Sequence, residues 1–223
     1  MIELYTAATP NGHKISIALE EMQLPYLITT LDLTNNEQKS SHFLTINPNG
    51  KIPAIIDRGN HNISVFDSGA ILIYLAEKSG KLLSQEPNER SQTLQWLMFQ
   101  MSGIGPMMGQ ANVWYRYRED QYQPAIDRYQ NEVRRLYAVM NNHLNGRDYL
   151  AQHYSIADIA NWAWIRTHEW SGVEVDEFPH LQDWIERIAQ RPACQRGINL
   201  PPINIHNGNA ERFIQTARSI LVN

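Results

Sequence analysis

Along the first eighty positions, apolar residues recur with two different periods. Ile2-Glu3-Leu4-Tyr5 predicts a short strand that runs into a small, polar loop from Thr6 to Asn11. Behind the loop, Ile15, Ala18, Leu19 and Met22 stand at i, i+3, i+4 and i+7, which is one face of a helix, and Asn11 is a suitable N-cap for it. Tyr26 to Asp32 alternates as a second strand. Strand, helix, strand is a βαβ unit, whose strands run parallel and whose crossover is right-handed. Ala54 to Asp57 is an apolar run opening on Pro53, Gly59-Asn60 reads as a hairpin turn, and Ile63 to Phe66 as the returning strand. Ala70 to Lys78 is helical and is headed by Asp67-Ser68-Gly69. The order predicts a four-stranded mixed sheet with helices on its faces.

No strand pattern follows. Composition shifts over Gly80 to Asn88, so the chain divides into an α/β domain over 1–80, a linker over 81–88 and an all-helical domain over 89–223. Leu94, Leu97, Met98 and Met101 mark one amphipathic helix. Val133, Leu136, Tyr137, Met140 and Leu144 mark another. Ser155-Ile156-Ala157-Asp158 has the form of a capping box with Asp in the place of Glu, and Ile156, Ile159, Ala160 and Ala163 continue its helix. Leu181, Trp184, Ile185 and Ile188 give one more, stopped near Pro192. Asn199 to Asn209 reads as an irregular tail, with a short helix from Ala210 to Leu221.

Composition narrows the classes of function. With 43% hydrophobic and 19% charged residues, the 223-residue chain has the make-up of a soluble globular protein. A net charge of −4 argues against a nucleic acid or an anionic membrane as main partner. No apolar run approaches the roughly eighteen residues of a membrane span. The N-terminus enters a strand directly, without a signal-peptide pattern. A single cysteine, Cys194, excludes an internal disulfide and a multi-cysteine metal site, and the eight histidines have no metal-site spacing. A cytoplasmic location is the simplest expectation.

Candidate chemistry gathers in three short stretches. Thr9-Pro10-Asn11-Gly12 lies at a helix N-terminus, whose free amides and partial positive charge favour an anion; a thiolate is such an anion. Asp67-Ser68-Gly69 opens a second helix, where the amides and the Ser68 hydroxyl suit a carboxylate and Asp67 suits an ammonium. Between them, an X-Pro bond is the peptide bond that turns cis at low cost. A cis bond at Ile52-Pro53 leaves the backbone of Ile52 to pair with an extended ligand. Taken singly, Thr9 and Asn11 read better as residues that cap a helix and close a turn, and Lys51 reads better as a solvated charge.

These stretches together resemble the glutathione-binding, thioredoxin-like domain of glutathione transferases. Thr9-Pro10-Asn11-Gly12-His13-Lys14, residues 47–57, Leu94-Gln95-Trp96 and residues 103–110 are similar to the Nu-class branch, the bacterial glutathione-dependent disulfide-bond oxidoreductases. The resemblance runs from about residue 1 to residue 195. It implies a glutathione transferase fold, a homodimer, and glutathione bound as substrate or cofactor with no metal. By the same resemblance, Thr9 and Asn11 polarise the glutathione thiol, Ile52 and Pro53 align its backbone, and Asp67 and Ser68 hold the γ-glutamyl group. Gln38 and Lys51 would hold the glycyl carboxylate. Arg135 either reaches a second glutathione carboxylate or forms a surface salt bridge. The implied reaction is reduction of small disulfides; conjugation of glutathione to electrophiles, or a non-catalytic glutathione-binding module, are the alternatives.

Overall fold

The computed structural model describes residues 1–201 and 209–222. The irregular tail expected over 199–209 therefore lies mostly outside the described residues. The chain forms two compact units. One contains residues 1–84 and a returning segment that begins at residue 190; the other begins at residue 85 and includes the C-terminal helix.

The first unit is built on strands β1 (Ile2–Thr6), β2 (Tyr26–Thr30), β3 (Ala54–Asp57) and β4 (Ile63–Phe66), in the order β2-β1-β3-β4. β1 and β2 are parallel, and the other two pairings are antiparallel. β3 is buried along its whole length: Ala54 to Ile56 are apolar, and Asp57, its last residue, is paired with Lys78 and accepts from Tyr74. Helices α1 (Pro10–Met22), α2 (Ser41–Ile46) and α3 (Ser68–Ser79) complete the expected α/β plan. β2 ends two residues before the expected Asp32, because Asp32 instead accepts from the Thr34 amide at 2.8 Å and starts a 3-10 turn. The β3–β4 hairpin turn spans residues 58–62 and includes the expected Gly59-Asn60; its left-handed residues are His61 and Asn62, and Asp57 Oδ1 takes the Gly59 amide.

Asn11 is not the N-cap of α1. Thr9 holds that position, extended at φ −134° and ψ 161°, with its Oγ1 accepting from the Gly12 amide at 3.2 Å. Pro10 explains the shift. Its missing N–H and fixed φ suit the first helical position, so the cap must precede it.

Residues 190–201 were expected with the helical half, but they pack in the first unit. Helix α9 (Pro192–Gly197) lies on α1, where Ser16 Oγ donates to the Gly197 carbonyl at 2.6 Å. A Cβ on Gly197 would stand 2.6 Å from Ile17 Cα, so only glycine permits this approach.

The second unit is helical. A nearly continuous rod contains α4 (Pro87–Phe99), a π-helical turn over 100–104, α5 (Gly105–Asn112) and a second π-helical turn over 113–117. Then come α6 (Gln123–Leu144), α7 (Ile156–Ile165), α8 (Pro179–Ala189) and α10 (Asn209–Leu221). The expected stripe on α4 is rotated by one residue, about 100°. Leu97 is buried, but its companions along the core side are Thr93, Gln100 and Ile104, while Met98 is 47% exposed. The capping box is present: Ser155 Oγ accepts from the Ala157 amide, and Asp158 Oδ2 accepts from the Ser155 amide at 3.0 Å.

Candidate functional site

Strand register brings the three chemical stretches to one end of the sheet. Tyr5 pairs with Ala54, so the end of β1 that leads to Thr9 lies beside the start of β3, just after Pro53. Ala54 pairs in turn with Phe66, so the residues that follow β4, Asp67 and Ser68, lie at the same end. The Ile52-Pro53 bond is cis, Pro53 is buried, and Ile52 lies outside the paired part of β3.

At the head of α1, Gly12 lets the helix come close to β1: a Cβ there would stand 2.2 Å from the Ala7 carbonyl oxygen. Thr9 Oγ1 is occupied as an acceptor by the Gly12 amide, and its hydroxyl can still act as a donor. Asn11 is half-buried in the first turn of α1.

At the head of α3, Asp67 adopts φ 71° and ψ 125°, a left-sided conformation that non-glycine residues rarely take. Its Oδ1 accepts from the Gly69 amide at 2.9 Å and the Ala70 amide at 3.4 Å. Ser68 is buried, and its Oγ accepts from Lys14 Nζ at 3.1 Å. Lys14 was not among the sequence-derived candidates. It is 1% exposed, and burial lowers its pKa from 10.5 to about 7, with the charge of Asp67 acting in the other direction. Lys14 shares a helix face with Ile17 and Ala18, both fully buried.

Gln38 and Lys51 lie on adjoining loops. Lys39, next to Gln38, donates to the Asn49 carbonyl at 3.3 Å, and Asn47 Nδ2 donates to the Lys51 carbonyl at 2.5 Å. A Cβ on Gly50 would stand 3.0 Å from the Gln38 carbonyl oxygen, so the loops are closely apposed. Lys51 is exposed and Gln38 is buried. Arg135 belongs to the second unit, on α6, where it grips Glu132 with two hydrogen bonds of 2.8 and 2.7 Å at the surface. Of its two expected settings, the surface salt bridge is the one observed.

Cys194 is fully buried in the first turn of α9, with Sγ 3.9 Å from Glu21 Oε1. Pro192 takes the first position of that helix, where its missing N–H is tolerated. Among the described residues, no cluster of three or more His, Cys, Asp or Glu could hold a metal ion, and no helix is long and apolar enough to cross a membrane.

A thioredoxin-like sheet with two helix N-termini at one end, followed by a helical unit, defines a glutathione transferase architecture. The chain belongs to the glutathione S-transferase family. Residues 1–77 match the glutathione S-transferase N-terminal domain, and residues 104–192 match the C-terminal domain. It is 48% identical over 204 residues to the disulfide-bond oxidoreductase YfcG of Escherichia coli, covering 89% of this chain and 94% of that one. Among solved structures, a glutathione transferase from Pseudomonas putida with one glutathione disulfide bound per subunit superposes with a TM-score of 0.85. That pair is 45% identical, with 90% of this chain and 91% of that one covered. A family member from Pseudomonas fluorescens with two glutathiones bound gives a TM-score of 0.83 at 44% identity, with 88% and 92% covered.

Proposed function

We propose that this protein binds glutathione and uses its thiol to reduce small disulfides. The observation that carries the choice of sulfur is the burial of Cys194. The chain's own thiol has no exposed surface, so the reactive sulfur comes with the ligand. The disulfide-bond oxidoreductase relative and the glutathione disulfide bound to the Pseudomonas putida protein support the direction of the chemistry. The glutathione thiolate, polarised by Thr9 and Asn11 at the head of α1, attacks one sulfur of the substrate disulfide. The disulfide bond breaks, a mixed disulfide forms, and the first substrate thiolate leaves and takes up a proton. A second glutathione thiolate attacks the glutathione sulfur of the mixed disulfide. This step releases the second substrate thiol and yields glutathione disulfide, so two glutathiones are oxidised for each disulfide reduced.

In this reading Ile52, before Pro53, pairs with the cysteinyl backbone, Asp67 takes the α-ammonium and Ser68 the α-carboxylate of the γ-glutamyl group. Gln38 and Lys51 take the glycyl carboxylate. The protein works as a cytoplasmic homodimer. The exposed Met98 on α4, next to the half-buried Leu94, supports an apolar contact surface. Light scattering that reports about the single-chain mass of 25.7 kDa at micromolar concentration would rule the dimer out. Turnover of hydroxyethyl disulfide beside chlorodinitrobenzene tests the function. Faster disulfide turnover is the expected result; faster conjugation would make the protein a transferase, and binding without either activity a non-catalytic module.

A further inference from the structure

Lys14 and Ser68 are 54 positions apart in the chain, yet they meet through a buried hydrogen bond of 3.1 Å between Nζ and Oγ. As an ammonium Lys14 offers only donors, so in that form Ser68 Oγ is the acceptor. The Ser68 proton is then directed to a different acceptor. Ser68 is also the first residue of α3, at the end where the helix carries partial positive charge and where Asp67 takes the Gly69 and Ala70 amides. The hydroxyl donor, the ammonium behind it and the helix end therefore share one polarity. They match a group that only accepts hydrogen bonds and carries negative charge.

We propose that Lys14 is a positioning residue for the α-carboxylate of the γ-glutamyl group, holding Ser68 as a hydrogen-bond donor and placing a positive charge behind it. This inference rests on the glutathione reading above and deepens it, because recognition of that carboxylate then depends on a buried proton. With its pKa lowered to about 7 by burial, Lys14 sheds its proton readily when the site is empty. An anion bound at Ser68 favours the ammonium, so binding above neutral pH draws in a proton, and affinity falls as pH rises.

The surrounding charges do not remove this dependence. From α3, Asp67 favours the ammonium. On α9, Arg191 and Arg196 are engaged with Glu21 and Glu20, near the other end of α1. Lys78, late in α3, is paired with Asp57 at 2.7 Å. His13 is the buried neighbour of Lys14 on α1 itself.

The test is calorimetric binding of S-methylglutathione at about pH 8, in buffers of different ionisation enthalpy. Blocking the sulfur removes the thiol's own proton from the measurement. The parent should bind with net proton uptake. Lys14→Met should bind about tenfold or more weakly, as expected for losing a hydrogen bond to a charged group, and without uptake. An analogue that lacks the γ-glutamyl α-carboxylate should bind weakly to both proteins and show no difference between them. Should Lys14→Met not fold, Ser68→Ala in the otherwise unchanged chain serves instead: it should lose both affinity and uptake. Unchanged affinity in the variant, or parent binding without uptake, would overturn the role of Lys14 while leaving the glutathione site standing. Failure of the parent to bind S-methylglutathione at all would overturn both.

Discussion

Asp158 and Lys14 are both fully buried charged residues, one in each unit, and their surroundings treat them differently. Asp158 is enclosed by donors of its own scaffold: the Ser155 amide and hydroxyl at 3.0 and 3.1 Å, the Leu150 amide at 3.0 Å and Trp184 Nε1 at 2.9 Å. These bonds join α7, its preceding loop and α8, and none leads to a helix end at the sheet. Lys14 donates to a side chain that heads α3, at the end of the sheet where Thr9, Pro53 and Asp67 also gather. Burial alone therefore does not separate a structural charge from a functional one. The partner does: a carboxylate closed in by its own chain holds a fold, whereas an ammonium bonded to the hydroxyl that heads α3 stands at the end of the sheet proposed to take the ligand.

The largest expected effect falls on the structural member of the pair. Asp158→Ala strands the Leu150 amide and the Trp184 indole, at a cost of about 2–4 kcal/mol, which lowers Tm by about 5–15 °C. Glutathione binding by the molecules that remain folded should be unchanged. A thermal melt together with a binding titration checks both statements, and a variant that melts normally but binds poorly would collapse the comparison. Its pH dependence is distinctive. Burial raises the Asp158 carboxyl from 3.8 to about 6, so the folded chain keeps a proton that the unfolded chain releases. The contribution of Asp158 to stability is thus greatest at low pH and falls between about 4 and 6. Asp158→Asn should abolish that slope.

Next in size are the losses of turnover at the ligand end. Thr9→Ala and Asn11→Ala should each slow disulfide reduction by roughly tenfold or more, through loss of a hydrogen bond to a charged sulfur of about 1.5–3 kcal/mol. The apparent pKa of bound glutathione's thiol should rise in both. Thr9→Ala also gives up the α1 cap, at about 1 kcal/mol. Thr9→Ser, which keeps the hydroxyl, should restore most of both losses. Kinetics that leave the two alanine variants at the parent rate would remove α1 from the mechanism.

Lys14→Met should behave opposite to Asp158→Ala. Replacing a buried ammonium by an apolar chain of similar length should leave the fold as stable at pH 6 or raise it by about 1–3 kcal/mol, while ligand affinity drops. The sign follows from the lowered pKa. Between about 7 and 10.5 the unfolded chain holds more protons at this position than the folded chain, so stability gains with rising pH. The variant should lose that gain. Denaturation that shows Lys14→Met strongly destabilised at every pH would make Lys14 a structural charge like Asp158.

The sheet, its four strands and most helices were legible because each follows a single period, as in Val133, Leu136, Tyr137 and Met140 on α6, all buried. The site loops were legible as strings of turn and capping residues. What escaped the sequence depends on contacts distant along the chain. Lys14 faces Ser68 across the fold, and a lysine beside apolar residues looks solvated until α3 covers it. The Asn11 assignment missed the local rule that Pro10 imposes on its own helix. The return of α9 to α1 rests on glycine at position 197, which carries no periodic signal. On α4 the core side holds Thr93 and Gln100, so apolar counting chose the neighbouring face.

The smallest expected effect belongs to Cys194, and it decides where the reactive sulfur comes from. Cys194 lies in the first turn of a helix, a setting that can activate a thiol. Three observations set that aside. The residue has no exposed surface, so a disulfide in solution does not reach it. The carboxylate of Glu21 lies 3.9 Å from its sulfur, and Arg191 binds that carboxylate at 2.6 and 2.9 Å. And α9 packs on the body of α1, whose first residues, not its middle, carry Thr9 and Asn11. Cys194→Ser exchanges one small side chain for another that hydrogen-bonds Glu21 more strongly, so it should cost about 1 kcal/mol of stability or less and leave disulfide turnover nearly intact. Loss of activity in the serine variant, with Thr9→Ala and Asn11→Ala unaffected, would move the chemistry from the ligand's sulfur to the protein's own.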